Sequence, residues 1–363
     1  MKKSFAEVLA IKNGRNQKAV ENPDGPYPIY GSGGIIGRAD DFICNSQTVI
    51  IGRKGTINNP IFVNEPFWNV DTAFGLEANK DIVYPKYLFY FCKSYDFESL
   101  NTTVTIPSLT KNNLLKIQMP IVSLDEQKKI ATEFDKIQSA IDNKKQQLSL
   151  LDEAVKSEFV EMFGENPVES GKWKITTLGK IAEIGSSKRI FASEYVASGI
   201  PFYRSKEIIE LSKNLKPSVE LFISKERYEE IKNKNGVPEI GDILMTAVGT
   251  IGKFWEVNTD KPFYYKDGNL VYIRCKIFNS TFFRYILESL IEAFKQQNLV
   301  GSAYSALTID RLKQMTVPMI ELDLQNKFAA FVQQIDKSKF VVKKQIADLQ
   351  ELFDSKMQEY FGE

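Results

Sequence analysis

The chain has no histidine at all. That absence removes the commonest general base, the Ser/His and Cys/His nucleophile pairs and the commonest transition-metal ligand together. Cysteine is nearly as scarce. Cys44, Cys92 and Cys275 lie far apart with no Cys-x-x-Cys pair, which offers neither a disulfide framework nor a recognisable zinc site and leaves them as small buried hydrophobes. No apolar run approaches the length of about eighteen residues that a membrane span needs, and Met1-Lys2-Lys3-Ser4-Phe5 does not begin an apolar stretch of signal-peptide length. A soluble, cytoplasmic protein is expected.

Cofactor motifs are missing too. There is no GxxxxGK[ST], so ATP-driven chemistry is not expected in this chain. Gly31-Ser32-Gly33-Gly34-Ile35-Ile36-Gly37 departs from GxGxxG and runs into Arg38-Ala39-Asp40-Asp41 rather than an apolar helix, so it reads as a flexible loop. Asn59-Pro60-Ile61-Phe62 approaches the Asn-Pro-Pro-Tyr/Phe motif of amino-methyltransferases but has isoleucine for the second proline, and reads as a turn before a strand. Asp71, Asp267 and Glu65 have no nuclease-like spacing.

The net charge is only +1, but it is unevenly placed. Residues 124 to 165 carry 6 Lys against 10 Asp and Glu, and residues 320 to 363 carry 6 Lys against 8. These two segments hold −6 between them, which leaves +7 on the rest of the chain. Acidic rods joined to basic domains is the pattern expected of a nucleic-acid binder.

What is present is an internal duplication. Phe163-Gly164-Glu165 recurs as Phe361-Gly362-Glu363, an offset of 198 that also carries Pro120 onto Pro318, Gln127 onto Gln325, and Leu109-Thr110 onto Leu307-Thr308. Upstream, Ile50-Ile51-Gly52-Arg53-Lys54-Gly55-Thr56-Ile57 aligns with residues 244 to 251 at 194, and Pro28-Ile29-Tyr30-Gly31-Ser32 with residues 201 to 205 at 173. The shrinking offset implies an insertion in the second copy.

Each copy ends in a helical pattern. Ile130, Phe134, Ile137, Ile141, Leu148, Leu151, Val155 and Phe159 form one apolar stripe on a charged rod, and Phe328, Val332, Ile335, Val342, Ile346, Leu349 and Phe353 form a second. Ser123 before Asp125-Glu126 is a plausible N-cap, and Gly164 with Pro167 closes the first helix. A rod of about 38 residues rises roughly 57 Å. Two such rods would gain most by packing as an antiparallel coiled coil.

Elsewhere, runs such as Thr48 to Ile51, Pro60 to Val63, Asp242 to Met245 and Asn269 to Ile273 read as short strands, with apolar helical patches at Tyr84 to Phe97 and Phe282 to Phe294. The expected fold is α+β: two tandem domains with twisted, mostly antiparallel sheets, separated by two long helices and related by a pseudo-twofold repeat. The boundaries are placed at 1–121, 122–165, 166–319 and 320–363.

In this order, the features closely resemble the specificity subunits of type I restriction-modification systems, over nearly the whole chain. The carriers are Tyr-Pro-Ile-Tyr-Gly-Ser-Gly-Gly at 27 to 34, Gly-Arg-Lys-Gly-Thr-Ile at 52 to 57, Ser-Leu-Thr at 108 to 110 leading to Met119-Pro120, and Leu124-Asp125-Glu126-Gln127. The second copy supplies Gly249-Thr250-Ile251-Gly252, Ala306-Leu307-Thr308 leading to Val317-Pro318, and Asp323-Leu324-Gln325. The resemblance implies two target recognition domains, each reading half of a bipartite double-stranded DNA site, with spacer helices that set the gap. It implies two modification subunits as partners, which bind S-adenosylmethionine and methylate a flipped adenine, and two restriction subunits, ATP-dependent translocase-nucleases, that can join them. S-adenosylmethionine, ATP and Mg are then expected in the partners and no cofactor in this chain, which would be a non-catalytic recognition subunit.

Candidate DNA contacts are polar and basic loop residues beside glycines that permit close backbone approach. In the first domain these are Tyr30, Ser32, Arg53, Lys54, Thr56, Thr105 and Ser108; in the second, Lys188, Arg189, Tyr203, Arg204, Lys206, Lys253, Tyr304 and Ser305. Between the copies, Arg53-Lys54 becomes Ala247-Val248 and Gly31 becomes Arg204, so the two half-sites are expected to differ. Three alternatives stay open: a specificity subunit for a fused enzyme of type IIB or IIG, a non-DNA coiled-coil interaction protein, and a stand-alone nuclease.

Overall fold

The structure, a computed structural model, describes residues 1–100, 108–298 and 307–362. Its two compact units are Met1–Leu148 with Val341–Glu363, and Ser149–Phe340. Both long helices are 40 residues, Leu124–Phe163 and Leu322–Phe361. Each contributes one part to each unit, so packing groups the helices with the globular parts rather than apart from them.

In the first unit, a four-stranded antiparallel sheet runs in the order Leu9–Asn13, Ala73–Ala78, Thr48–Gly52, Ile61–Val63. A three-stranded mixed sheet joins Gly34–Ala39, Tyr27–Gly31 and Trp68–Asn69, the last pair parallel. Lys2–Ser4 pairs with Gln118–Pro120. The glycine-rich segment expected to be a flexible loop is thus a hairpin. Gly34 supplies φ +126, which a side chain rarely tolerates, and lets the chain reverse through Ser32-Gly33.

In the second unit the scheme recurs. The four-stranded antiparallel sheet is Glu183–Gly185, Leu270–Arg274, Ile243–Thr246, Phe254–Glu256, and the mixed sheet is Tyr195–Val196, Phe222–Ile223, Ile200–Tyr203, Tyr264–Tyr265. Lys174–Thr177 pairs with Thr316–Met319. The difference is local: where Tyr27–Gly31 turns straight back, Ile200–Tyr203 runs into helices Ser205–Ser212 and Lys225–Asn235. These helices are the insertion implied by the shrinking offset.

Equivalent side chains build equivalent elements. Thr110 and Thr308 each cap a short helix, accepting from Asn113 N at 3.2 Å and Arg311 N at 3.3 Å. Ser123 caps the first long helix through Glu126 N at 3.3 Å. That helix stops at Gly164, whose φ of +90 a Cβ would strain.

The apolar stripes face the cores. In the first unit Ile130, Phe134, Ile137 and Ile141 are buried with Phe353 and Met357 of the second long helix and Phe5, Leu76 and Tyr87 of the globular part. Phe134 meets Phe353 edge-on at 5.2 Å, and burying a side chain of that size contributes about 2 to 3 kcal/mol. In the second unit Val155, Phe159 and Phe163 pack with Phe328 and Val332. There Phe163 lies 5.6 Å from Phe328 while Asp152 pairs with Lys339 at 2.6 Å, which fixes the helices as antiparallel. Cys44 and Cys92 are buried as expected, while Cys275 is half-buried with its thiol on Ile181 O at 3.4 Å. Among the described residues no helix is long and apolar enough to cross a membrane.

Candidate nucleic-acid interface

In the first unit the loop after Thr48–Gly52 is curled tightly by its glycines. A Cβ at Gly52 would stand 1.9 Å from Thr56 O and 3.1 Å from Ser32 Cβ, and Gly55 has φ +79. Only a residue without Cβ lets the chain close in this way. The backbone is then pinned on both sides: Arg53 N donates to Thr72 O at 2.7 Å, Leu109 N donates to Arg53 O at 2.9 Å, and Lys54 bridges Ser108.

With the backbone engaged, the side chains point outward. Arg53, Lys54 and Thr56 are exposed. The Arg53 guanidinium rests 5.8 Å from the Phe74 ring and reaches Asp71 O at 3.4 Å, and neither Arg53 nor Lys54 has a carboxylate partner among the described residues. Ser32 adjoins Gly52 from the hairpin turn. Tyr30, two residues before Ser32, is half-buried with its ring 5.3 Å from Phe67; burial, and secondarily Glu65, raise its hydroxyl pKa. Six of the seven residues expected here therefore belong to one neighbourhood, and Thr105 lies outside the described residues.

The second unit keeps the backbone frame and changes the chemistry. Ala247 N donates to Asn269 O and Leu307 N donates to Ala247 O, both at 2.8 Å, as at Arg53. Gly249 and Gly252 take φ +72 and +77. Lys253 closes this loop, exposed, with its backbone N on Thr246 Oγ1 at 3.0 Å. Lys188 and Arg189 are exposed on the segment after Glu183–Gly185, Arg189 paired with Asp267 at 3.0 Å. Lys188 borders a cavity of about 210 Å³ lined by Tyr264, Tyr265, Tyr272 and Arg274. Arg274 is held there by Asp242 at 2.7 Å and Glu239 at 3.1 Å, so it is not free to receive a phosphate.

Three residues singled out in this unit are engaged internally. Tyr203 is only 8% exposed, its ring stacked at 4.9 Å on Phe263 and edge-on to Trp255 at 6.0 Å. Arg204 pairs with Glu207 and with Glu220, each at 2.9 Å, and Lys206 pairs with Glu220 at 2.7 Å. The Glu207 carboxylate is fully buried, and its counter-charge comes from Arg204. A buried charge is costly unless paired, so these groups complete the start of helix Ser205–Ser212. Tyr304 and Ser305 lie outside the described residues.

The sequence profile of the type I restriction modification DNA specificity domain matches residues 1–153 and again residues 170–351. The chain belongs to that family. The two matches repeat within this specificity subunit as the two units do. A type I restriction enzyme specificity subunit of Haemophilus influenzae is 24% identical over 282 residues, covering 75% of this chain and 71% of its own. The MjaVIII specificity subunit of Methanocaldococcus jannaschii is 22% identical over 321 residues, 82% of this chain and 74% of its own. Among solved structures, the S subunit of the M. genitalium type I system superposes with a TM-score of 0.62 at 17% identity, over 100% of this chain and 96% of that one. A chain from a structure of type I system assembly and conformational transition gives 0.57 at 16% identity, over 99% and 97%. At such identities the likeness concerns the fold.

Proposed function

We propose that each unit reads one half of a bipartite, asymmetric site in double-stranded DNA and presents it to two adenine-N6 methyltransferase subunits, which two ATP-dependent translocase-nuclease subunits join. In this reading the chain works in the cytoplasm, carries no catalytic group, and leaves S-adenosylmethionine, ATP and Mg to its partners. Family membership supports the recognition role. The observation that carries the DNA reading is the Arg53-Lys54 loop: two cations held outward on a backbone tied to Thr72 and Leu109, with no carboxylate to neutralise them among the described residues.

In the first half-site the readers are Arg53 and Lys54 with Ser32, Thr56, Ser108 and Tyr30; in the second they are Lys188, Arg189, Lys206 and Lys253. Tyr203 and Arg204 are left out, since core packing and the buried Glu207 occupy them, whereas Lys206, exposed and paired with Glu220 as Arg189 is with Asp267, stays with the second set. The loops at Arg53 and Ala247 share a backbone frame and differ in charge, which supports unlike half-sites.

The test is a genome-wide map of N6-methyladenine in a host lacking other adenine methylases, with this chain expressed beside the modification subunit encoded next to it. A split motif with unlike halves is expected. A stable complex that adds no methylation would overturn the reading.

A further inference from the structure

The hairpin Tyr27–Gly31 and Gly34–Ala39 carries an apolar pair in an unusual place. Ile35 and Ile36 are 62% and 57% exposed, beside the Ser32-Gly33 turn. The strand register explains this. Ile29 pairs with Gly37 and Tyr30 with Ile35, so Ile36 is the extra residue of a β-bulge. Bulges re-aim side chains next to functional sites. Ile36 lies over the turn, its Cγ2 3.7 Å from where a Cβ of Gly31 would stand, while Ser32 Cβ is 3.1 Å from where a Cβ of Gly52, at the foot of the Arg53-Lys54 loop, would stand. Nothing stands within 4 Å of the added Cβ at Gly33 or Gly34, so the tip is bare backbone.

We infer that this hairpin enters the major groove and that Ile35 and Ile36 recognise thymine by its 5-methyl group. The inference rests on the DNA reading above and deepens it. A two-stranded ribbon is one of the two elements the major groove admits, and the thymine methyl is the one apolar feature on its floor. Hydrogen-bonding side chains cannot read a methyl group; exposed isoleucines can. Arg53 and Lys54, which follow the Gly52 that adjoins Ser32 of the hairpin turn, supply the attraction to phosphate that holds such a ribbon in place.

The probe is a duplex carrying the half-site assigned to the first unit by methylation mapping, with each thymine replaced in turn by deoxyuridine, which removes the methyl and leaves the pairing edge. Binding is measured by fluorescence anisotropy on the full chain in complex with its methyltransferase partner. One or two replacements should weaken binding about three- to fivefold each, the worth of one buried methyl. The Ile35→Ala, Ile36→Ala double variant should bind thymine and deoxyuridine duplexes equally and keep its preference for the other half-site, which also shows that it has folded.

Deoxyuridine without effect at every position, a half-site with no thymine on either strand, or a variant that discriminates as the native chain does would overturn the inference. If the native complex does not prefer the mapped duplex to a scrambled one, the DNA reading itself fails, and this inference falls with it.

Discussion

Gln127 and Gln325, 198 residues apart, share two equivalent hydrogen bonds from buried side chains. Each side-chain oxygen accepts a backbone N–H where a globular helix begins, Tyr84 N and Asn279 N, both at 2.8 Å. Each side-chain amide donates to the carbonyl five residues earlier, Val122 O at 2.9 Å and Ile320 O at 2.8 Å. One glutamine per unit thus ties the start of a long helix to the start of a globular helix. Replacing either by alanine leaves buried backbone groups unpaired, each costing about 1 to 3 kcal/mol. Gln127→Ala and Gln325→Ala should each lower stability by roughly 3 kcal/mol, read as a shifted urea midpoint. An unchanged midpoint would show that water replaces the lost bonds.

Removing the two outward cations should cost DNA affinity and not stability. Arg53→Ala with Lys54→Ala is expected to leave thermal unfolding within about 0.5 kcal/mol of the native chain. If both contact phosphate, the slope of log K against log salt should fall by about two. A titration series in salt on the assembled complex reads this directly.

Arg204→Ala should act on folding. Its partner Glu207 is fully buried, so the substitution strands a carboxylate and should destabilise the second unit by about 2 to 3 kcal/mol. Adding Glu207→Gln removes the stranded charge and should restore part of the loss. A double-mutant cycle on urea midpoints measures the coupling, and equal losses with and without Glu207→Gln would refute it.

Alkaline pH should loosen the first unit. Burial pushes the Cys44 thiol up from 9.0 to about 12 and the Tyr87 hydroxyl up from 10.0 to about 12. Both are neutral acids in the fold, and above their ordinary pKa the unfolded chain loses protons that the folded chain keeps. Stability from these groups is therefore fully present below about pH 9 and lost as pH rises toward 12. Urea midpoints at pH 8 and 10.5 should differ, and Cys44→Ala should reduce the difference.

How much of this was legible in the sequence depended on whether the signal was periodic or environmental. The stripes from Ile130 to Phe159 and from Phe328 to Phe353 could be read because helical spacing alone places them on one face. The match of Pro28–Ser32 with residues 201–205 also held, since Tyr30 O and Tyr203 O accept from Val70 N and Lys266 N in the same parallel pairing. The same letters did not mean the same surroundings. Tyr203 is enclosed by Phe263 and Trp255, which are distant in sequence, whereas Tyr30 stays half-buried, its ring edge-on to Phe67. Arg204 looked like a loop cation because nothing local announces that Glu207 is buried. The hairpin was hidden by its glycines, which suggest freedom in a sequence and enable a tight reversal in a sheet.

The division of the long helices between the units also sets an order of events. The second unit is continuous, Ser149–Phe340, whereas the first needs Phe353 and Met357 to close a core begun at Phe5. During synthesis from the N-terminus, the unit translated first must wait for Phe353, made 275 positions after the end of its four-stranded sheet at Ala78, while the unit translated second can complete itself earlier. The first unit is therefore the one that passes longest through an unfinished, apolar-exposed form, and the stage at which partners or chaperones would matter most.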